Sequence, residues 1–166
     1  MSDTKTNQNL AQAFAKLSQA SARRKVYSHK AARDGLPEVA HFLRAISASE
    51  KVQARRLFNS LIGKVDKSDE YLKTIFEKEM QALLDNYAEL IDSASEERPA
   101  LLNALRQLRA AETRLRSFYS QESGDIKTNK DAKYFVCKFC GYLGTDSPPE
   151  KCPICGAAKD AFNEVT

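Results

Sequence analysis

Four cysteines set the strongest limit on what this chain can fold into. They stand as Cys137-x2-Cys140 and Cys152-x2-Cys155, eleven residues lie between the pairs, and no cysteine precedes them. Each short pair reads as a knuckle in which backbone N–H groups turn toward the sulfurs. Gly141 and Gly156, directly after each pair, permit the left-handed turn this needs. Four thiolates at this spacing make a tetrahedral site suited to zinc or iron. The competing reading is two disulfides, but paired Cys-x2-Cys spacing is the metal pattern. A module this short has too little apolar area to fold without such a staple.

The chain changes character near residue 123. The first 122 residues hold two of the six glycines, two of the five prolines and none of the cysteines. Three regions follow: a helical part over 1–122, a linker over 123–132 and a four-cysteine metal domain over 133–166. Lys133 to Thr166 carries four lysines and four acids, so the net charge of +4 sits in the first part. That excess is too weak and too mixed to argue for nucleic acid. Hydrophobic residues at 42% and charged residues at 29% are ordinary for a soluble globular chain. No run approaches the roughly 20 apolar residues that span a bilayer, so no membrane partner is expected. The opening Met1–Asn9 is polar and has no apolar signal core, and a cytoplasmic protein is the expectation.

The first 122 residues read as four helices. The first runs from Asp3 or Thr4 to Arg33, with Gly35 as its C-terminal cap, and Pro37 starts the second. Val39, Phe42, Leu43, Ile46, Ala54, Leu57 and Leu61 make the apolar stripe of the second, which Gly63 ends. Ser68 or Asp69 caps the third, whose inner face is Leu72, Ile75, Phe76, Leu83, Tyr87 and Leu90. Pro99 starts the fourth, with Leu101, Leu102, Leu105, Leu108, Leu115 and Phe118 or Tyr119 inward. At ~25 to 30 residues each they span roughly 40 Å, which predicts a mainly α four-helix bundle. The link from Gly63 to Ser68 reaches only ~20 Å. It therefore cannot recross such a bundle. Either the helices run up-down-up-down, or pairs of them exchange between two subunits.

Polar residues interrupt these stripes. Glu50 and Gln53 fall between Ile46 and Leu57, Glu79 between Phe76 and Leu83, and Glu112 between Leu108 and Leu115. Arg24 falls near the same level of the first helix. Carboxylates at core positions are costly unless paired, protonated or bound to metal. Glu50, Gln53, Glu79 and Glu112 are therefore a candidate residual metal site. The plainer reading is wet stripe edges, with Arg24 or Gln53 satisfying whichever acids turn inward.

Cys140-Gly141-Tyr142 and Cys152-Pro153-Ile154-Cys155-Gly156, with Tyr134, Phe135 and Phe162 around them, resemble rubredoxin. In rubredoxins a single iron cycles between ferric and ferrous states, so iron is favoured here, with zinc as the alternative. The whole chain resembles rubrerythrin. Asn9–Ala15 is similar to the start of its first helix. Glu50-Lys51 with Ala54–Phe58 is similar to its second helix, and Pro149–Lys159 to its terminal motif. Leu61–Ser68 resembles the short-linker branch of the family, in which helices exchange between subunits.

The resemblance implies a ferritin-like bundle followed by a rubredoxin-like domain. It further implies a non-haem iron peroxidase in which a di-iron centre reduces hydrogen peroxide and the rubredoxin-like iron delivers electrons. The family's di-iron ligands depart here. Glu50, Glu79 and Glu112 are kept, but Leu17, Gln53, Ala82 and Leu115 stand at the other ligand positions, and His29 and His41 fall elsewhere. The expectation is an electron-transfer protein of oxidative-stress defence, with one Fe in the four-cysteine site, no confident di-iron centre and no assigned catalytic residue. A reductase and an electron acceptor are its expected partners, and a homodimer its expected state. A zinc-ribbon helical adaptor and a residual peroxidase are the alternatives.

Overall fold

A computed structural model describes residues 4–62, 72–120, 126 and 131–165. The chain forms two compact units, Met1–Asp66 and Lys67–Thr166. The proposed Gly63 and Ser68/Asp69 boundaries and most of the 123–132 linker lie outside the described residues.

The first unit is a helical hairpin of α1 (Lys5–Arg33) and α2 (Pro37–Ile62). Thr4 caps α1, its Oγ1 accepting from the Asn7 N–H at 3.2 Å. At the other end Leu36 N donates to Ala31 O and Gly35 N to Ala32 O. With Gly35 at φ +75°, this is the paired bonding of a Schellman cap, and it turns the chain back within three residues. Pro37 then opens α2, where its missing N–H costs nothing.

The helices meet through small residues. Ser28, Ala31, Ala40 and Ala54 are buried. Ser21 Oγ donates to Ser47 O and Ser47 Oγ to Ser21 O, both at 2.9 Å. Ser21 and Ser28 on α1, and Ala40, Ser47 and Ala54 on α2, repeat at seven residues, the spacing of a close seam. Phe14 and Phe58 close the far end, ring centroids 5.2 Å apart. This corrects the expected stripe of the second helix: Val39 and Phe42 are 46% and 65% exposed. The seam selects small side chains that let backbones approach: Ala54 of the expected stripe lies in it, whereas the bulkier Val39 and Phe42 pass beside it.

The second unit begins with helical Leu72–Lys73, a π-helical turn over Thr74–Glu79 and α3 (Met80–Glu97). The Met80 N–H donates to Ile75 O, a five-residue step that adds one residue to the turn. Positions beyond it are therefore displaced by about 100° around the axis. The inner face continues as Met80, Leu84, Tyr87, Ile91 and Ala94, whereas Leu83 and Leu90 are exposed. That overturns their expected placement and has a local cause in the π turn.

Arg98 breaks the helix, Pro99–Leu101 forms a 3-10 turn and α4 runs over Leu102–Arg116. At 15 residues, α4 is shorter than expected. Ser117 terminates it, Oγ donating to Arg114 O at 2.7 Å. The chain then carries Tyr119 back to the π turn. Its ring stacks on Phe76 at 5.0 Å, and its hydroxyl donates to Glu77 Oε1 at 2.8 Å.

The chain ends in a three-stranded antiparallel sheet: β1 (Tyr134–Cys137), β2 (Leu143–Thr145) and β3 (Phe162–Val165), ordered β2-β1-β3. Val136 pairs with Leu143, and Cys137 with Phe162.

Candidate metal centre

The two knuckles have matching backbones. Gly141 N donates to Cys137 O at 3.0 Å and Gly156 N to Cys152 O at 2.9 Å. Cys137 N donates to Tyr142 O, and Cys152 N to Ala157 O. Gly141 and Gly156 hold φ of +78° and +76°, the region an L side chain resists.

The four sulfurs lie within 4.8 Å of one another, the one convergent group of three or more His, Cys, Asp or Glu among the described residues. Cys137 Sγ is 3.7 Å from Cys155 Sγ, and Cys140 Sγ is 3.5 Å from Cys152 Sγ. A disulfide needs about 2.05 Å, and all four cysteines are free. A tetrahedral ion with metal–sulfur bonds of ~2.3 Å separates its ligands by about 3.8 Å. The donor set and its spacing therefore fit a metal ion.

Cys137, Cys140 and Cys152 are buried, and Cys155 is half-buried. Tyr142, Ile154, Ala157 and Phe162 pack against them. Tyr142 and Phe162 meet edge to face at 6.4 Å. Backbone N–H groups of Cys140 and Phe139 address the Cys137 sulfur, that of Tyr142 addresses Cys140, and that of Ala157 addresses Cys155. Burial alone would raise the Cys137 thiol, but these bonds outweigh it and hold the group at about 7. Burial pushes Cys140 up to about 12. The arrangement stabilises thiolates through directed amides, and an ion supplies the remaining charge.

The candidate bundle residues sit differently. Glu50 is largely buried, its Oε1 3.7 Å from Arg24 Nη2. Gln53 is exposed and donates to Ser49 Oγ at 3.3 Å. Glu79 is exposed at the end of the π turn. Glu112 is half-buried, and burial raises its carboxyl above the usual range. His29 and His41 are exposed, as expected for surface residues.

Two residues escaped the sequence reading. Glu77, one turn from Lys73, receives the Tyr119 hydroxyl. Arg114 binds the four-cysteine domain to α4, its Nε donating to Leu143 O at 3.3 Å. Only the one-turn spacing of Lys73 and Glu77, and the place of Arg114 in the last turn of α4, could have hinted at either. No described helix is long and apolar enough to cross a membrane.

Comparison with known proteins agrees with this geometry. The family model "Rubrerythrin, rubredoxin-like domain" matches residues 135–163, which hold all four cysteines. Rubrerythrin-2 of Clostridium acetobutylicum is 27% identical over 172 residues, covering 92% of each chain. The rubrerythrin of Porphyromonas gingivalis is 26% identical over 181 residues, 98% of this chain and 90% of its own. The structure of partially reduced nigerythrin is 24% identical and covers 99% of this chain and 91% of its own, with a TM-score of 0.53. That likeness establishes the fold: mainly α, a four-helix ferritin-like part followed by a small rubredoxin-like domain. The rubredoxin-like family model over the knuckles and the full-length relatives together make this chain similar to rubrerythrins along almost its whole length.

Proposed function

We propose that the chain is a rubrerythrin-like iron protein that carries one electron at a time at its four-cysteine site, in defence against peroxide and related oxidative stress. The observation that carries this reading is the convergence of four free thiols under directed backbone amides. Iron held by four thiolates supplies reversible one-electron chemistry without opening a ligand position. The chain's own groups do the rest. Cys137, Cys140, Cys152 and Cys155 hold the ion, and the amides of Phe139, Cys140, Tyr142 and Ala157 spread its negative charge, which sets the potential. Tyr142, Ile154 and Phe162 keep water from the sulfurs. Cys155, half-buried, marks the side from which a redox partner reaches the centre.

On this reading the bundle has largely lost its di-iron site. The pairing of Glu50 with Arg24 supports this, since a guanidinium supplies the charge a metal would bring. So do Leu17, Ala82 and Leu115, which have no donor atoms. The partners are a reductase and an electron acceptor. Exposed Val39, Phe42, Leu83 and Leu90 support assembly into a homodimer, and four free thiols suit a cytoplasmic setting.

The test is metal analysis with a visible spectrum on protein from iron-replete cells. One iron per chain, coloured when oxidised and bleached by dithionite, is the expected result. Zinc alone in protein from the native host would replace the reading with a zinc-ribbon adaptor. Iron well above one per chain, with peroxide consumption, would restore the peroxidase.

A further inference from the structure

Arg114 stands where the helical part and the four-cysteine domain meet within the second unit. Its Nε donates to Leu143 O at 3.3 Å, and Nη1 donates to Ser117 Oγ at 3.4 Å. Its guanidinium carbon lies 4.5 Å from the centre of the Phe118 ring and 5.8 Å from that of Tyr142. Among the described residues no carboxylate lies within 4.0 Å of it. A guanidinium stays protonated throughout the accessible pH range.

The groups it grips belong to the first knuckle. Tyr142 packs against the buried cysteines, accepts the Cys137 N–H through its carbonyl and directs its own N–H at Cys140. Leu143 begins the strand that pairs with Val136, next to Cys137. One side chain of α4 therefore holds two consecutive residues of the metal-binding loop, by hydrogen bond and by cation–π contact. Lysine has no planar fork that could do both.

We propose that Arg114 is a positioning residue for the four-cysteine site. It fixes the Tyr142–Leu143 segment, and with it the amide aimed at Cys140, and places its positive charge against the Tyr142 ring, which packs on the buried cysteines. The inference rests on the iron reading of that site. Reduction adds one electron, and so one negative charge, to the centre without gain or loss of a proton or ligand. A nearby cation favours the more negative form, so Arg114 raises the reduction potential.

The test is potentiometric titration of the full iron-loaded chain and its Arg114→Gln and Arg114→Lys variants. Arg114→Gln is expected to lower the midpoint potential, and Arg114→Lys, which keeps the charge, to lie nearer the parent. An unchanged or raised potential in Arg114→Gln overturns the proposal. Amide exchange on the zinc-loaded chain is the second measurement. Faster exchange at residues 142–144 in Arg114→Gln is expected, and unchanged exchange overturns the positioning role. If the parent chain binds zinc but shows no redox step, the iron reading fails by itself, and the exchange result alone decides whether Arg114 holds the loop.

Discussion

Arg24 Nη2 stands 3.7 Å from Glu50 Oε1, while the other oxygen, Glu50 Oε2, is buried without a hydrogen-bond partner among the described residues. The side chains are 34% and 15% exposed, so the acid depends on this one cation more than the cation depends on the acid. Removing the partner of a largely buried charge costs more than the pair contributes. Arg24→Met is expected to lower stability by about 1–3 kcal/mol, toward the low end because solvent reaches the arginine. Adding Glu50→Gln should recover most of the loss. Urea midpoints of the zinc-loaded variants test this, and an equal loss in the double variant would count against it.

Glu112 gives a stability that depends on pH. Burial raises its carboxyl in the folded chain, so folding favours the neutral form. That contribution is present below the ordinary carboxylate range and is lost as pH rises through the folded value. Glu112→Gln should therefore be more stable than the parent at pH 7, with the gain fading as the solution is acidified. Urea unfolding at pH 4 and pH 7 measures it. A loss of stability at neutral pH would mean that the carboxylate has a cationic partner.

Tyr119 joins the end of α4 to the π turn. Its hydroxyl donates to Glu77 at 2.8 Å over a stacked Phe76. Tyr119→Phe keeps the stack and removes the bond, at an expected cost of about 1–2 kcal/mol. Tyr119→Ala also removes the buried ring and should cost about 3–5 kcal/mol. Thermal or urea unfolding separates the two, and equal costs would show that the ring alone matters.

Metal uptake should weaken on acidification in two stages. Binding displaces the thiol protons. Cys140, pushed up by burial to about 12, is protonated at every accessible pH, so the ion displaces its proton into solvent throughout. Cys137, held at about 7, releases a proton on binding only below that value. Apparent zinc affinity is expected to fall as pH is lowered, and more steeply below pH 7. Competition with a chromophoric chelator at pH 6, 7 and 8 measures the slope, and a flat profile would contradict it. Cys140→Ser should lower the affinity at all three values.

The knuckles were legible because their information is local. Two cysteine pairs and the glycine after each specify a turn of a few residues, and four free thiols converge where the spacing predicted. The α1–α2 turn was legible for the same reason: Gly35 and Pro37 encode a cap and a start within one loop. The helix faces were less so. Periodicity assumes an unbroken α register, and the extra residue of the π turn moves the inner face from Leu83 to Leu84. Hydrophobic bulk also misled where Ser21, Ser28 and Ser47 form the seam.

By itself, then, the sequence determined the helical start, the paired cysteine knuckles and the absence of any apolar run long enough to cross a bilayer, since each depends on residues close in the chain. Tertiary structure alone decided that Arg24 answers Glu50, that Tyr119 returns to Glu77 and that Arg114 holds Leu143. These partners lie 26 to 42 residues apart. Nothing local selects one partner over another at that distance. Packing does, by bringing a charge or hydroxyl to the group that would otherwise stay unpaired.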